Sequence, residues 1–138
     1  MGIIETKEKL RKLLCSFRIH PDCQGELIRF LRHRGNDIKF LSVLETQLEL
    51  LQKYGPDAVV YFPRTKFEDL KYKKAVNICS MHIDTSEVNY RVLYSCLEDR
   101  TVLLHGFFER AGKSKTDYTY AIPKAQKRLA EWRENHYD

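Results

Sequence analysis

Apolar residues along this chain fall at helical spacing first, then in alternating strand-like runs, and finally at helical spacing again. Leu10, Leu13, Leu14 and Phe17 recur at three or four residues with Lys and Arg opposite, which predicts a helix over 5–14. Leu13, Cys15, Phe17 and Ile19 also alternate, so a short strand over Ser16–His20 competes with the end of that helix. Asp22 is a candidate cap for a helix over Gln24–Arg34 whose apolar side carries Leu27, Ile28, Phe30 and Leu31. Gly35 suits the position after that helix, and Asn36 suits the next N-cap. The clearest helix covers Asp37–Tyr54, where Ile38, Leu41, Leu44, Leu48, Leu51 and Tyr54 form one stripe before Gly55-Pro56 stops it. Two amphipathic helices joined this tightly form a hairpin whose joint face needs a sheet.

Residues 55–74 read as a long connection with a short extended piece at Ala58–Phe62. Ala75–Asp84 then alternates Val76, Ile78, Ser80 and His82 with Cys79, Met81 and Ile83, a strand with one more polar face. Thr85–Asn89 is a polar turn. Arg91–Leu97 and Thr101–Phe108, rich in Val, Leu, Tyr and Phe and split by Glu98-Asp99, read as a β-hairpin, completing a three-strand meander. Glu109–Lys115 is a basic loop around Gly112. Ile122, Ala125, Leu129, Trp132 and His136 mark a last helix, with Pro123 near its start and Thr119 or Asp117 as its cap. The class is therefore α+β: a small, mainly antiparallel sheet packed against a helical hairpin, with a C-terminal helix beside the sheet. The 138 residues suit one domain, 1–138, with 1–15 as a helical N-terminal extension.

Composition narrows the partners. The chain is 43% hydrophobic with only six Gly and four Pro, which argues against disorder. Its formal net charge is +5, a modest excess that matters where it clusters. Arg64, Lys66, Lys71, Lys73 and Lys74 make one such run against Glu68 and Asp69; it is either a solvated loop or a phosphate-contacting rim. No apolar run is long enough to span a membrane and no signal-peptide pattern opens the chain, so a cytoplasmic protein with no membrane partner is expected. Cys15, Cys23, Cys79 and Cys96 show no CxxC spacing and read as buried, reduced thiols. His20-x-x-Cys23 with Cys15 and His33 matches no zinc module, and no metal or other cofactor is expected.

Tyr90-Arg91-Val92-Leu93-Tyr94, Val102-Leu103-Leu104-His105-Gly106-Phe107, a basic loop and a basic C-terminal helix together resemble the toxins of the RelE/ParE superfamily, most nearly its HigB-like, phage-derived branch. The likeness runs in element order over about residues 17–135 and is specific over about 75–115. It implies a RelE-like fold, with the strand near Ser16–His20 at the edge of the sheet, and a type II toxin-antitoxin system toxin: an mRNA interferase that cleaves mRNA on the ribosome, without a metal, and so inhibits translation. A cognate antitoxin, often a helix-turn-helix protein, would hold it inactive, and promoter DNA would be met only through that complex. The helix ahead of the edge strand and the long 55–74 connection depart from the compact family pattern.

Metal-free RNA cleavage needs cations on the phosphate and groups that move protons. The resemblance places Arg91 on the scissile phosphate; the plain alternative is a strand Arg paired with a carboxylate. Lys113 and Lys115, with Arg110, fall in the family's phosphate-clamping loop, and Tyr118 or Tyr120 falls where relatives stack a base or shift a proton. His82 stands where relatives present Lys or Arg and is a candidate general base. Lys71, Lys73, Lys74, Lys124 and Arg128 are candidate RNA contacts. His105 reads as structural. Two rivals remain: a ParE-like toxin that inhibits DNA gyrase, and an inactive phage-derived interaction protein. A small DNA-binding regulator has little support, because no recognition-helix pattern stands out.

Overall fold

The computed structural model describes residues 2–98 and 100–135; Asp99 and His136, expected in the hairpin turn and on the last helix, lie outside them. Helix α1 spans Ile3–Cys15, strand β1 Arg18–Ile19, α2 Pro21–His33 and α3 Ile38–Tyr54. A single helical turn, α4 at Ala58–Tyr61, and strand β2 at Phe67–Asp69 follow. The meander is β3 at Cys79–Asp84, β4 at Asn89–Leu97 and β5 at Arg100–Phe108, and α5 at Ser114–Asn135 closes the described chain. The expected α+β class holds, with one strand more than expected.

Local chemistry sets the helix boundaries. At the start of α2, Pro21 occupies the first turn and the His20 Nδ1 accepts the Asp22 N–H at 3.1 Å, so His20 and not Asp22 is the cap. Asp37, rather than Asn36, caps α3, its Oδ1 accepting the Phe40 N–H at 3.1 Å. Gly55 ends α3 with φ 51, a left-handed value that favours glycine. Ala58–Phe62 is not extended, because a 3₁₀ turn at Gly55–Asp57 carries the chain straight into α4. Strand β3 begins at Cys79 and not Ala75, since Asn77 sits at φ 65 and breaks the extended run. Helix α5 begins at Ser114, ahead of Asp117 and Thr119, so Pro123 lies inside it and both Tyr118 and Tyr120 are helical.

The strands order β1-β5-β4-β3-β2, with β1 parallel to β5 and every other pairing antiparallel. Strand alternation sorts the side chains to two faces. Met81, Ile83, Tyr90, Val92 and Tyr94 join Phe30, Phe40, Leu44 and Leu48 in the larger core, under α1–α3. Leu93, Val102 and Leu104 join Ile78, Tyr118, Ala125, Leu129 and Trp132 in a second core, under α5. The last helix thus lies across the sheet from the helical hairpin. Helix α1 is no appendage either: it packs on α3 and buries Leu10 in the larger core. Cys15, however, is exposed on α1, against the expectation of four buried thiols; all four are free. Among the described residues no helix is long and apolar enough to cross a membrane.

Candidate functional site

Helix α5 covers only part of its face of the sheet. Beside its first turns, alternate residues of three strands come together on that face. Glu68 pairs across β2–β3 with Ser80, and His82 pairs across β3–β4 with Arg91. Ser80, His82, Asp84 and Arg91 therefore share one face, as the alternation predicted for Ser80 and His82. Tyr118 comes down from α5 onto them, its hydroxyl 2.8 Å from Ser80 Oγ and 3.5 Å from His82 Nε2. The result is an open pocket of about 470 Å³ lined by His82, Arg91, Tyr118, Lys73 and Arg64, with Glu68, Asp84 and Glu109 among them.

Its electrostatics are close to balanced. Arg91, 5% exposed, donates to Asp84 Oδ1 at 2.6 Å, to Glu109 Oε2 at 2.9 Å and to its neighbour's carbonyl, Tyr90 O, at 3.1 Å. Its Nε is buried with no partner. Glu68 Oε1 faces His82 Nε2 at 3.5 Å, while its Oε2 accepts from the Tyr72 hydroxyl at 2.5 Å and Arg64 at 3.3 Å. Burial pushes Glu68 up, but those hydrogen bonds outweigh it and hold the carboxyl at about 2, so it is ionised at neutral pH. Burial raises Tyr118, keeping its phenol protonated against the lowering pull of Ser80 and Arg91. Lys73 Nζ lies 5.5 Å from the Tyr118 ring and 5.3 Å from the Tyr72 ring.

The structure brings together His82, Arg91, Tyr118 and Lys73 and separates the rest. Tyr120 is 75% exposed one helix step away. Lys113 and Lys115 are exposed around the start of α5 and do not line the pocket. Arg110 is held by Asp117, which accepts from its Nε at 2.9 Å, its guanidinium at 2.6 Å and its backbone N–H at 2.7 Å. Lys71 and Lys74 are exposed on the turn after β2, and Lys124 is exposed on α5. Sequence reasoning missed the acidic half of the site. Asp84 could have been found, being two residues beyond His82 on the same face; Glu68 could not, because three-residue β2 has no readable period.

Arg128 is not a surface cation. It donates to Glu26 through both terminal nitrogens, at 2.7 and 3.0 Å, and to the Leu104 carbonyl at 2.9 Å. His105 Nδ1 faces the same carboxylate at 2.9 Å, and the Gly106 N–H donates to it at 3.1 Å. This knot ties α2 and α5 across β5, which gives His105 the structural place expected of it and takes Arg128 out of reach of RNA. His20, Asp22 and Glu131 lie close enough to share an ion. Both His20 nitrogens are engaged, however: Nδ1 accepts from Asp22, and Nε2 meets Glu131 at 3.0 Å.

No protein-family model matches the chain, and neither a curated protein nor a solved structure matches it. The site must be interpreted from its own chemistry.

Proposed function

We propose that the protein is an endoribonuclease, a RelE/ParE-type toxin of the HigB-like branch that cleaves mRNA and so stops translation. One observation carries the reading: His82, Tyr118, Lys73 and Arg91 converge on a single open pocket. An imidazole, a protonated phenol and two cations are the parts that internal RNA cleavage uses. His82 takes the proton of the 2′-hydroxyl as its oxygen attacks phosphorus. Arg91 and Lys73 offset the charge that builds on the phosphorane. Tyr118, held protonated by burial, gives its proton to the departing 5′-oxygen, and the products are a 2′,3′-cyclic phosphate and a 5′-hydroxyl. Glu68 anchors the imidazole. A phosphate reaches Arg91 by replacing a carboxylate, and Asp84, with a side chain 39% exposed, is the partner that can turn to water. Cytoplasmic action on ribosome-bound mRNA and restraint by an antitoxin belong to the same proposal.

A gyrase-binding toxin of the ParE type is favoured by a different observation. Three carboxylates (Glu68, Asp84 and Glu109) match the pocket's Arg64, Lys73 and Arg91 one for one, leaving no surplus charge for a phosphate. The deciding experiment is induced expression of wild type and His82→Gln, with primer extension on a reporter mRNA and thermal melts of both proteins. The nuclease reading expects growth arrest with discrete cuts, both lost in a variant that melts normally. Arrest with intact mRNA would overturn it in favour of gyrase.

A further inference from the structure

A second groove lies on the opposite side of β5. Strand β1 pairs with β5 only at Val102 and Leu103, so the edge of β5 beyond them has no strand beside it. The Glu109 N–H bonds the Asn89 carbonyl at 2.8 Å, which makes residues 105, 107 and 109 the ones whose backbone groups turn towards β4. Gly106 and Phe108 then turn their backbone groups outward. The Gly106 N–H is taken by Glu26 at 3.1 Å; the Gly106 carbonyl and the Phe108 N–H and carbonyl face the open edge.

Beside that edge the groove, about 660 Å³ and open to solvent, is floored by Phe30, Tyr90 and Phe108, the last 44% exposed. Arg29, Arg32 and His33 of α2 form its rim, and Glu26, already paired with Arg128 and His105, lines it as well. Among the described residues none of these three pairs with a carboxylate. This groove shares no lining residue with the His82 pocket.

We propose that this groove binds an extended acidic peptide segment of a partner protein, added as a strand to the edge of β5. Three features converge on that occupant. An open edge supplies main-chain hydrogen bonds, which only another polypeptide can return in register. The aromatic floor takes one apolar side chain. Unneutralised cations on the same side of the sheet select carboxylates two residues either way from that anchor, because alternate side chains of an added strand face α2. A nucleic acid would use the cations and aromatics but not the edge.

The test uses the full chain and a blocked heptapeptide, Thr-Glu-Thr-Phe-Thr-Glu-Thr, which places Glu, Phe and Glu on one side of a strand. Binding is followed by amide chemical shifts of the protein. The expected result is saturable binding that moves Gly106 and Phe108. It should weaken at least tenfold when both Glu are replaced by Lys, when the peptide's Phe amide and its neighbours are N-methylated, and in Arg29→Glu/Arg32→Glu protein. Those two arginines are exposed, so the doubly substituted protein should melt like wild type, and a melt run alongside checks this. No saturable binding, equal binding of the Lys peptide, or indifference to N-methylation overturns the proposal. So does an oligouridylate that competes for the same residues and binds more tightly than the peptide.

Discussion

Two clusters on this sheet use the same chemistry for different ends. Glu26, His105 and Arg128 form a knot in which the carboxylate accepts from an arginine, a histidine and a backbone amide. Glu68, His82 and Tyr118, with Arg91 nearby, form an open one that lines a pocket. Residue types do not separate them. What separates them is the arginine on the carboxylate: Arg128 is buried between the sheet and α5, with a side chain 10% exposed, whereas Arg64, on Glu68, has a side chain 70% exposed.

The largest effect should come from opening the knot. Glu26→Gln leaves the buried Arg128 charge without its partner and should cost about 3–5 kcal/mol in urea unfolding, against about 1–2 kcal/mol for Glu68→Gln, whose arginine partner, Arg64, is exposed. Equal losses would break the contrast. His82→Gln should lower RNA cleavage by about 10²–10⁴-fold with an unchanged melting temperature. His105→Gln should do the reverse, lowering the melting temperature while activity per folded molecule holds.

Gly106→Ala tests how tightly the knot's strand is packed, because an added Cβ would run into the Tyr90 phenol. That overpacking should cost about 1–3 kcal/mol in the same urea assay. Acid should act on both clusters together. Glu26 is held at about 2, where hydrogen bonds from His105, Arg128 and Gly106 overcome the upward push of burial, and Glu68 is likewise at about 2. A depressed carboxyl contributes stability that is present above its ordinary value of 4.5 and lost as pH falls towards 2. Allowing for solvent screening, each should contribute about 1–2 kcal/mol, visible as a falling unfolding free energy between those pH values. In Glu26→Gln that decline should shrink by one carboxyl's share. The smallest effect is on Arg91: Asp84→Asn frees part of its guanidinium and should tighten binding of a non-cleavable RNA roughly twofold to fivefold at low salt.

Most of the elements were legible in the chain. Periodicity located α1, α2, α3 and the meander, because each buries a continuous stripe or face, and burial demands apolar residues at the element's own spacing. It also placed Ser80 and His82 on one polar face. Resemblance singled out Arg91 and, without choosing between them, Tyr118 and Tyr120; Arg91 and Tyr118 stand in the pocket and Tyr120 does not. Periodicity failed at β2 and α4, which are too short to show a period, and at Pro123, whose position inside α5 local propensity disfavours.

What only the tertiary structure decided is which charges meet. Arg128 and Lys124 look alike in sequence on the last helix, yet Arg128 is buried on Glu26 and Lys124 faces water. Arg91 and Asp84 are seven residues apart, and their 2.6 Å bond exists because β3 and β4 pair in one register. Charge placement depends on which element lies across the sheet, a long-range fact that no local pattern encodes. The alternation of apolar and polar residues determined the layers; the crossing of α5 over the sheet determined that Arg128 is buried on Glu26 while Tyr118 meets His82 and Arg91 at a pocket.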